Sequence, residues 1–190
     1  MDSTGKLIDQ FVAMLNSTGL EPLFAPDVPE ELRIGELAEI PDMFLWKIRA
    51  AEPNPWVSEL EAILPYPFPL PYKSLIARFR FAKFDLGPIM FLANTGDEVF
   101  HELFRVLADD KEFQRQLLQH GFLQFGRQSG GGFDPVCFAM KERKNGDAPV
   151  VQLDHEDLMI RDRICIRRKI APSFLAFAEQ VIAGELKSGE

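Results

Sequence analysis

The stretch FGRQSGGGFDPVCF, Phe125 to Phe138, sets three consecutive glycines before an aspartate and a cysteine. Glycines that end a strand and open a helix cradle phosphate on backbone N–H groups, and a cysteine near a histidine is the raw material of a nucleophile. A Walker loop, however, needs Lys-Ser/Thr after its glycines, and a dinucleotide fold needs GxGxxG. Here Phe133-Asp134-Pro135 and a β-like run follow, and Pro135 removes a donor that a helical cradle would use. Gly130, Gly131 and Gly132 therefore read as a reversal between two strands. Asp134 is expected to fix that turn by accepting from nearby backbone donors, and Cys137 to be an inert thiol on a core strand.

The most polar cluster, Asp154-His155-Glu156-Asp157, has ligand-type residues but not a metal-site spacing. Successive side chains on a strand point to opposite faces, and no second His/Cys pair stands three or four residues away. The expected role of Asp154 and His155 is local turn or cap hydrogen bonding where the chain leaves a strand. Catalytic partners need only meet in space, so a pocket built from Asp134, Cys137, His155 and Glu156 stays open as an enzymatic or small-molecule alternative. Nothing in the pattern calls for a metal or cofactor. Arg161, Arg163, Arg167, Arg168 and Lys169 form a basic stretch, but Glu156, Asp157 and Asp162 dilute it, and a pI of about 5.0 disfavours nucleic-acid binding. A strand face with solvated arginines is expected there.

The elements that must position these residues follow from hydrophobic spacing. Leu7, Phe11, Met14 and Leu15 predict a helix over residues 6 to 15. The acidic, proline-rich segment 21 to 42 predicts an arm with one short helix, either disordered or in contact with a partner. Trp56, Leu60, Ile63 and Leu64 share a helical face, and Pro71 opens a second helix carrying Leu75, Ile76 and Phe79. Two strands joined by Gly87-Pro88 come next, then two helices: one carries the stripe Val99 to Leu107, the other a capping box from Asp109 to Glu112. Further strands are expected at 122 to 125, 136 to 140, 150 to 153 and 163 to 166. Phe174, Phe177, Ala178, Val181 and Ile182 mark a closing helix, with Ser173 as N-cap and Gly184 as its stop. The order predicts an α+β domain with helices packed on a mostly antiparallel central sheet.

At 190 residues, 46% of them hydrophobic, the chain can fill one core. The expected division is a helix and acidic arm over residues 1 to 55, the α+β domain over 56 to 184, and a tail over 185 to 190. No apolar run reaches 18 residues, and Asp2 and Asp9 stand where a signal peptide would be basic, so a cytoplasmic protein without a membrane partner is expected. Cys137 and Cys165 are expected to be buried free thiols. The formal charge of −8 is uneven: residues 1 to 70 hold 4 basic and 12 acidic side chains, and the remainder holds 17 of each. Such a field steers a basic partner toward the acidic part.

The order of short motifs resembles the SUKH superfamily, which includes the yeast cell-wall regulator of the Smi/Knr type and many bacterial immunity proteins. The motifs are Trp56-Val57-Ser58-Glu59-Leu60-Glu61, Leu70-Pro71-Tyr72-Lys73-Ser74-Leu75, Asn94-Thr95-Gly96, Gly132-Phe133-Asp134-Pro135-Val136-Cys137-Phe138, Asp154-His155-Glu156 and Ser173-Phe174. Leu70, Pro71, Gly96, Gly132, Asp134, Cys137, Asp154, His155, Ser173 and Phe174 are the positions it marks as structural. Phe133 departs from the usual pattern by separating the glycines from Asp134. The resemblance implies a non-catalytic module that binds a protein, in bacteria a toxin and often a nuclease. An acidic surface would do so by masking a basic groove; the alternative is an intracellular regulatory scaffold that binds a host protein. Candidate contacts are Asp27, Glu30, Glu31, Glu36, Glu39 and Asp42, with Trp46 and Trp56 as anchors if exposed.

Overall fold

A computed structural model of the chain describes residues 3–52, 55–95, 102–108 and 112–185. The expected first helix is longer than its apolar spacing required, α1 (Ser3–Thr18), and buries Ile8, Phe11, Val12 and Leu15 along one stripe. The two central helices are α2 (Pro55–Ile63) and α3 (Leu70–Arg78). Two short helices, α4 (Glu102–Ala108) and α5 (Glu112–His120), precede the main run of strands. Gly96, Val99, Phe100 and Asp109, named in the sequence reading, lie outside the described residues. A helix of about two turns, α6 (His155–Arg161), and the clearly patterned α7 (Phe174–Ile182) complete the seven described α-helices. Ser173 Oγ accepts from Ala176 N at 3.0 Å, so the expected N-cap is present.

The segment expected as an arm is folded. β1 (Leu23–Phe24), β2 (Arg33–Glu36) and β3 (Met43–Trp46) make a small antiparallel sheet in the order β1-β3-β2. Val28, Leu32, Trp46 and Ile48 from this region join the main core. β4 (Arg49–Ala50) pairs with β5 (Phe79–Arg80). The central sheet contains β6 (Phe84–Leu86), β7 (Ile89–Phe91), β8 (Phe122–Gln128), β9 (Pro135–Ala139), β10 (Val150–Leu153) and β11 (Ile166–Ala171). Its order, β11-β10-β9-β8-β7-β6, is an antiparallel meander, so the expected α+β class is the observed one. The last strand starts where the expected one ended: residues 163 to 165 are a connection that brings the chain from α6 to the sheet edge.

Alternation along the strands sorts side chains onto two covered faces. Leu123, Phe125, Val136, Phe138 and Val150 meet Tyr72, Phe174 and Phe177 in the larger core. Cys137, Ala139, Val151 and Leu153 point the other way, against Leu117 of α5 and Leu158 of α6. The larger core is aromatic at its centre. The Tyr72 ring lies 5.1 Å from both Phe125 and Phe138 and 5.3 Å from Phe174, while Phe125 and Phe138 stack at 4.1 Å. Such contacts add about 0.5–1.5 kcal/mol per pair beyond area burial.

Gly130 and Gly131 sit at φ +74° and +82°, so the reversal between β8 and β9 needs a backbone that glycine adopts without penalty. The reading of these residues as a hairpin turn is therefore correct.

The Tyr72 hydroxyl is buried without a hydrogen-bond partner among the described residues, and burial pushes its pKa up. Tyr72→Phe removes an unpaired polar group while keeping the ring, so urea unfolding should show unchanged stability or a gain of about 1 kcal/mol. Tyr72→Ala should cost about 3–5 kcal/mol through the cavity it opens. A loss of more than about 1 kcal/mol in Tyr72→Phe would contradict this description of the hydroxyl.

Candidate functional site

Asp134 is fully buried at the start of β9, and its carboxylate does not bond the turn beside it. The hairpin is closed instead by the main chain, with Gln128 N donating to Asp134 O at 2.8 Å. Asp134 Oδ1 accepts from the His155 backbone N at 3.1 Å and faces His155 Nδ1 at 2.6 Å. Its Oδ2 accepts from Gln152 Nε2 at 2.9 Å and Arg167 Nη1 at 2.8 Å. The expected turn-fixing role is thus corrected. A charge this deep requires donors on both oxygens, and three distant segments supply them.

Arg167 is an exposed strand arginine, as expected, but it is also held by ion pairs. Its second nitrogen donates to Asp154 Oδ2 at 2.6 Å, so one guanidinium bridges two carboxylates. Asp154 uses Oδ1 to cap α6, accepting from Glu156 N at 2.9 Å and Asp157 N at 3.0 Å, which is the local role its position predicted. Asp157 in turn pairs with Arg161 and, at 2.8 Å, with Arg163. Cys165 is half-buried instead of buried, and its thiol interacts with Asp157. Arg161, Arg163 and Arg167 of the basic stretch are thus ion-paired within the chain.

Burial alone would raise the Asp134 pKa. The His155 ring and backbone, Gln152 and the Arg167 charge outweigh that effect and hold the carboxyl below its ordinary value. Hydrogen bonds from Arg163 and then Arg161 bring Asp157 down to about 2. Cys137 lies fully buried among Leu117, Ala139, Val151 and Leu158, and burial pushes its thiol well up. Asp134 and His155 therefore meet, but Cys137 is an inert core residue and does not complete the nucleophilic pocket held open as an alternative. Among the described residues no group of three or more His, Cys, Asp or Glu side chains is placed to hold a metal ion. No helix there is long and apolar enough to cross a membrane.

The other motif positions tie elements together. Leu70 opens α3 with its N–H on Gly146 O at 2.8 Å, and Pro71 is buried behind it. Gly132 passes so close to Gln128 that a Cβ would come within 2.5 Å of its side chain. Phe174 is fully buried, and its N–H together with that of Leu175 donates to Asp147 from the β9–β10 connection, at 3.2 and 2.9 Å. Asp147 is thus a second, long-range cap on α7. Nothing in its local sequence pointed to it.

A different surface is formed by the small sheet. Phe24, Ile34 and Leu45 of its strands and Ile40 of the β2–β3 connection are 48%, 59%, 41% and 42% exposed, and Glu30, Glu31, Glu36, Glu39 and Asp42 of the same segment are exposed as well. Asp27 is partly buried and pairs with Lys83 at 3.0 Å. Glu36 Oε1 accepts from Asp42 N at 2.9 Å, which closes the β2–β3 connection. Trp46 and Trp56 are not on this surface. At 3% and 6% exposure both belong to the core: Trp46 lies 6.2 Å from Phe84 and donates Nε1–H to Glu21 O at 3.0 Å, and Trp56 meets Phe104 edge-on. An anchoring role needed exposed rings, and apolar residues absent from the sequence candidates take their place. Strand alternation could have found Leu45, whose neighbours Phe44 and Trp46 face inward.

Compared with known proteins, the chain matches no family model and no curated sequence.

The Asp134 network sets an acid limit on stability. Because the folded pKa of Asp134 lies below the ordinary aspartate value near 3.8, its contribution is present above that pH and lost as pH falls through the folded value. Asp134→Asn should cost about 2–4 kcal/mol near pH 7 and flatten the fall of unfolding free energy below about pH 4. Urea melts from pH 7 to 3 check both points; an unchanged acid slope would remove Asp134 as its source.

Proposed function

We propose that the protein is a non-catalytic protein-binding module whose partner surface is the outer face of β1, β3 and β2. The supporting observation is that Phe24, Ile34 and Leu45 of the small sheet and Ile40 of its β2–β3 connection stay exposed in a segment that also exposes Glu30, Glu31, Glu36, Glu39 and Asp42. Exposed apolar side chains together with charged ones are the anatomy of a protein interface, and the carboxylates select a basic partner. The resemblance in motif order to the SUKH superfamily supports the finer reading of an immunity-type protein. Its partner would then be a toxin, most simply a nuclease whose substrate groove is itself basic. A resident cellular protein bound by a regulatory scaffold is the alternative occupant of the same face.

The reading is tested by placing a photo-crosslinking residue at Leu45, identifying the captured protein in the native host, and measuring its binding to purified variants. The partner should be basic. Glu30→Lys, Glu31→Lys and Glu39→Lys combined should weaken it by roughly 10- to 100-fold, mainly through the association rate, with an unchanged circular dichroism spectrum. Ile34→Arg should act mainly on dissociation. Capture of a toxin separates the immunity role from the scaffold role. A partner indifferent to both sets of substitutions overturns the assigned face.

A further inference from the structure

A groove of about 490 Å³ lies between α4, α5, β8 and the start of α6, a volume within the range of small-molecule sites. Its walls are apolar and partly aromatic, with Phe113 from α5, Phe133 from the glycine turn and Met159 from α6. Phe133 and Met159 are 73% and 70% exposed, an unusual state for two large apolar side chains flanking one groove. The polar groups that converge there are chemically specific.

Gln114 of α5 and Gln124 of β8 are 5% and 3% exposed and form an amide chain at the floor: Gln114 Nε2 donates to Gln124 Oε1, and Gln124 Nε2 donates to Gly126 O at 3.0 Å. This order leaves Gln114 Oε1 buried with no donor among the described residues. A buried acceptor without a partner is unfavourable, so this amide pair is held by the packing around the groove floor. His155 uses Nδ1 on Asp134, so Nε2 is the ring nitrogen left at the groove wall. Arg105 and Arg127 supply two guanidiniums. The one lining carboxylate, Glu102, is engaged by the Ala93 N–H at 3.4 Å and lies 3.9 Å from Arg127. The lining therefore carries one net positive charge on a protein of formal charge −8.

We infer that the groove binds a small anion attached to a flat aromatic ring. The ring lies against Phe133 and Phe113, and the anionic group meets Arg105 and Arg127, with Gln114, Gln124 and His155 lining the same groove. Nucleoside monophosphates and heteroaryl carboxylates share this chemistry. The inference does not rest on the protein-binding reading, which concerns the small sheet.

The experiment titrates the ¹⁵N-labelled full chain with uridine and guanosine monophosphates, indole-3-carboxylate and, as an ion control, inorganic phosphate, following the side-chain amides of Gln114 and Gln124. At least one ring-bearing anion should give saturable shifts at those amides with a Kd below about 1 mM. Arg105→Gln and Phe133→Ser, both at exposed positions, should each weaken that binding roughly tenfold without changing the melting temperature. Whether a phosphate or a carboxylate is preferred identifies the source of the anion. The inference is overturned by an equal response to inorganic phosphate, which means an adventitious ion only. No saturable response to any ring-bearing anion up to about 10 mM, or binding unaffected by both substitutions, overturns it equally.

Discussion

A carboxylate cannot remain ionised inside a protein unless both its oxygens are satisfied, and Asp134 is fully buried. Four donors meet that demand, and they come from three places: Gln152 on β10, the backbone and ring of His155 at the start of α6, and Arg167 on β11. Each donor fixes a piece of geometry. Gln152 holds β10 in register beside β9, His155 sets the direction in which α6 leaves the sheet, and Arg167 pins the edge strand. Because Arg167 also binds Asp154, the cap of α6 and the charge at the head of β9 are compensated by the same cation. A slip of one residue in either strand would leave a charge unpaired.

The sheet can carry helices on both faces because its alternation is apolar on both. Between β7 and β8 the approach is close: a Cβ at Gly126 would meet Met90 O at 2.8 Å and Ile89 at 2.9 Å, so only glycine lets the strands pair there beside the irregularity in β8. On the larger core face, phenylalanines from β8, β9 and α7 surround Tyr72, and Phe91 of β7 packs on Phe125. The small N-terminal sheet adds Val28, Leu32, Trp46 and Ile48 to the same core. Its inward side is spent on folding, and its outward side keeps apolar residues in water. The division between stability and recognition runs through single strands: Trp46 is core, and Leu45 beside it is surface.

Several site features were readable because their causes are local. Asp154 caps α6 through N–H groups two and three residues ahead, and Ser173 caps α7 in the same way. The glycine reversal needed only the knowledge of which residues tolerate positive φ. Asp134 was misjudged because a short acidic side chain after a turn looks the same whether it bonds the turn or reaches Gln152, His155 and Arg167, which are 18, 21 and 33 residues away. The ion pairs of Arg161, Arg163 and Arg167 were missed for the same reason, since partners brought together by the fold leave no periodic mark. The proline-rich segment looked like an arm because β1 and β3 are short, and the pairing that makes them strands joins residues about 20 positions apart.

The sequence by itself determined what depends on neighbours within a few residues: the central and closing helices, most strands of the meander, the α+β class, the reversal at Gly130 and Gly131, and the acidic bias of the first 70 residues. Tertiary structure alone decided which aromatic rings are buried, that Asp134 is a charge hub instead of a turn residue, that Asp147 caps a helix 27 residues away, and that Gln114 Oε1 is buried with no donor among the described residues. The physical reason is the range of the forces involved. Backbone propensity and periodicity act within a turn or a strand, whereas desolvation of a buried charge or amide depends on every segment that packs around it.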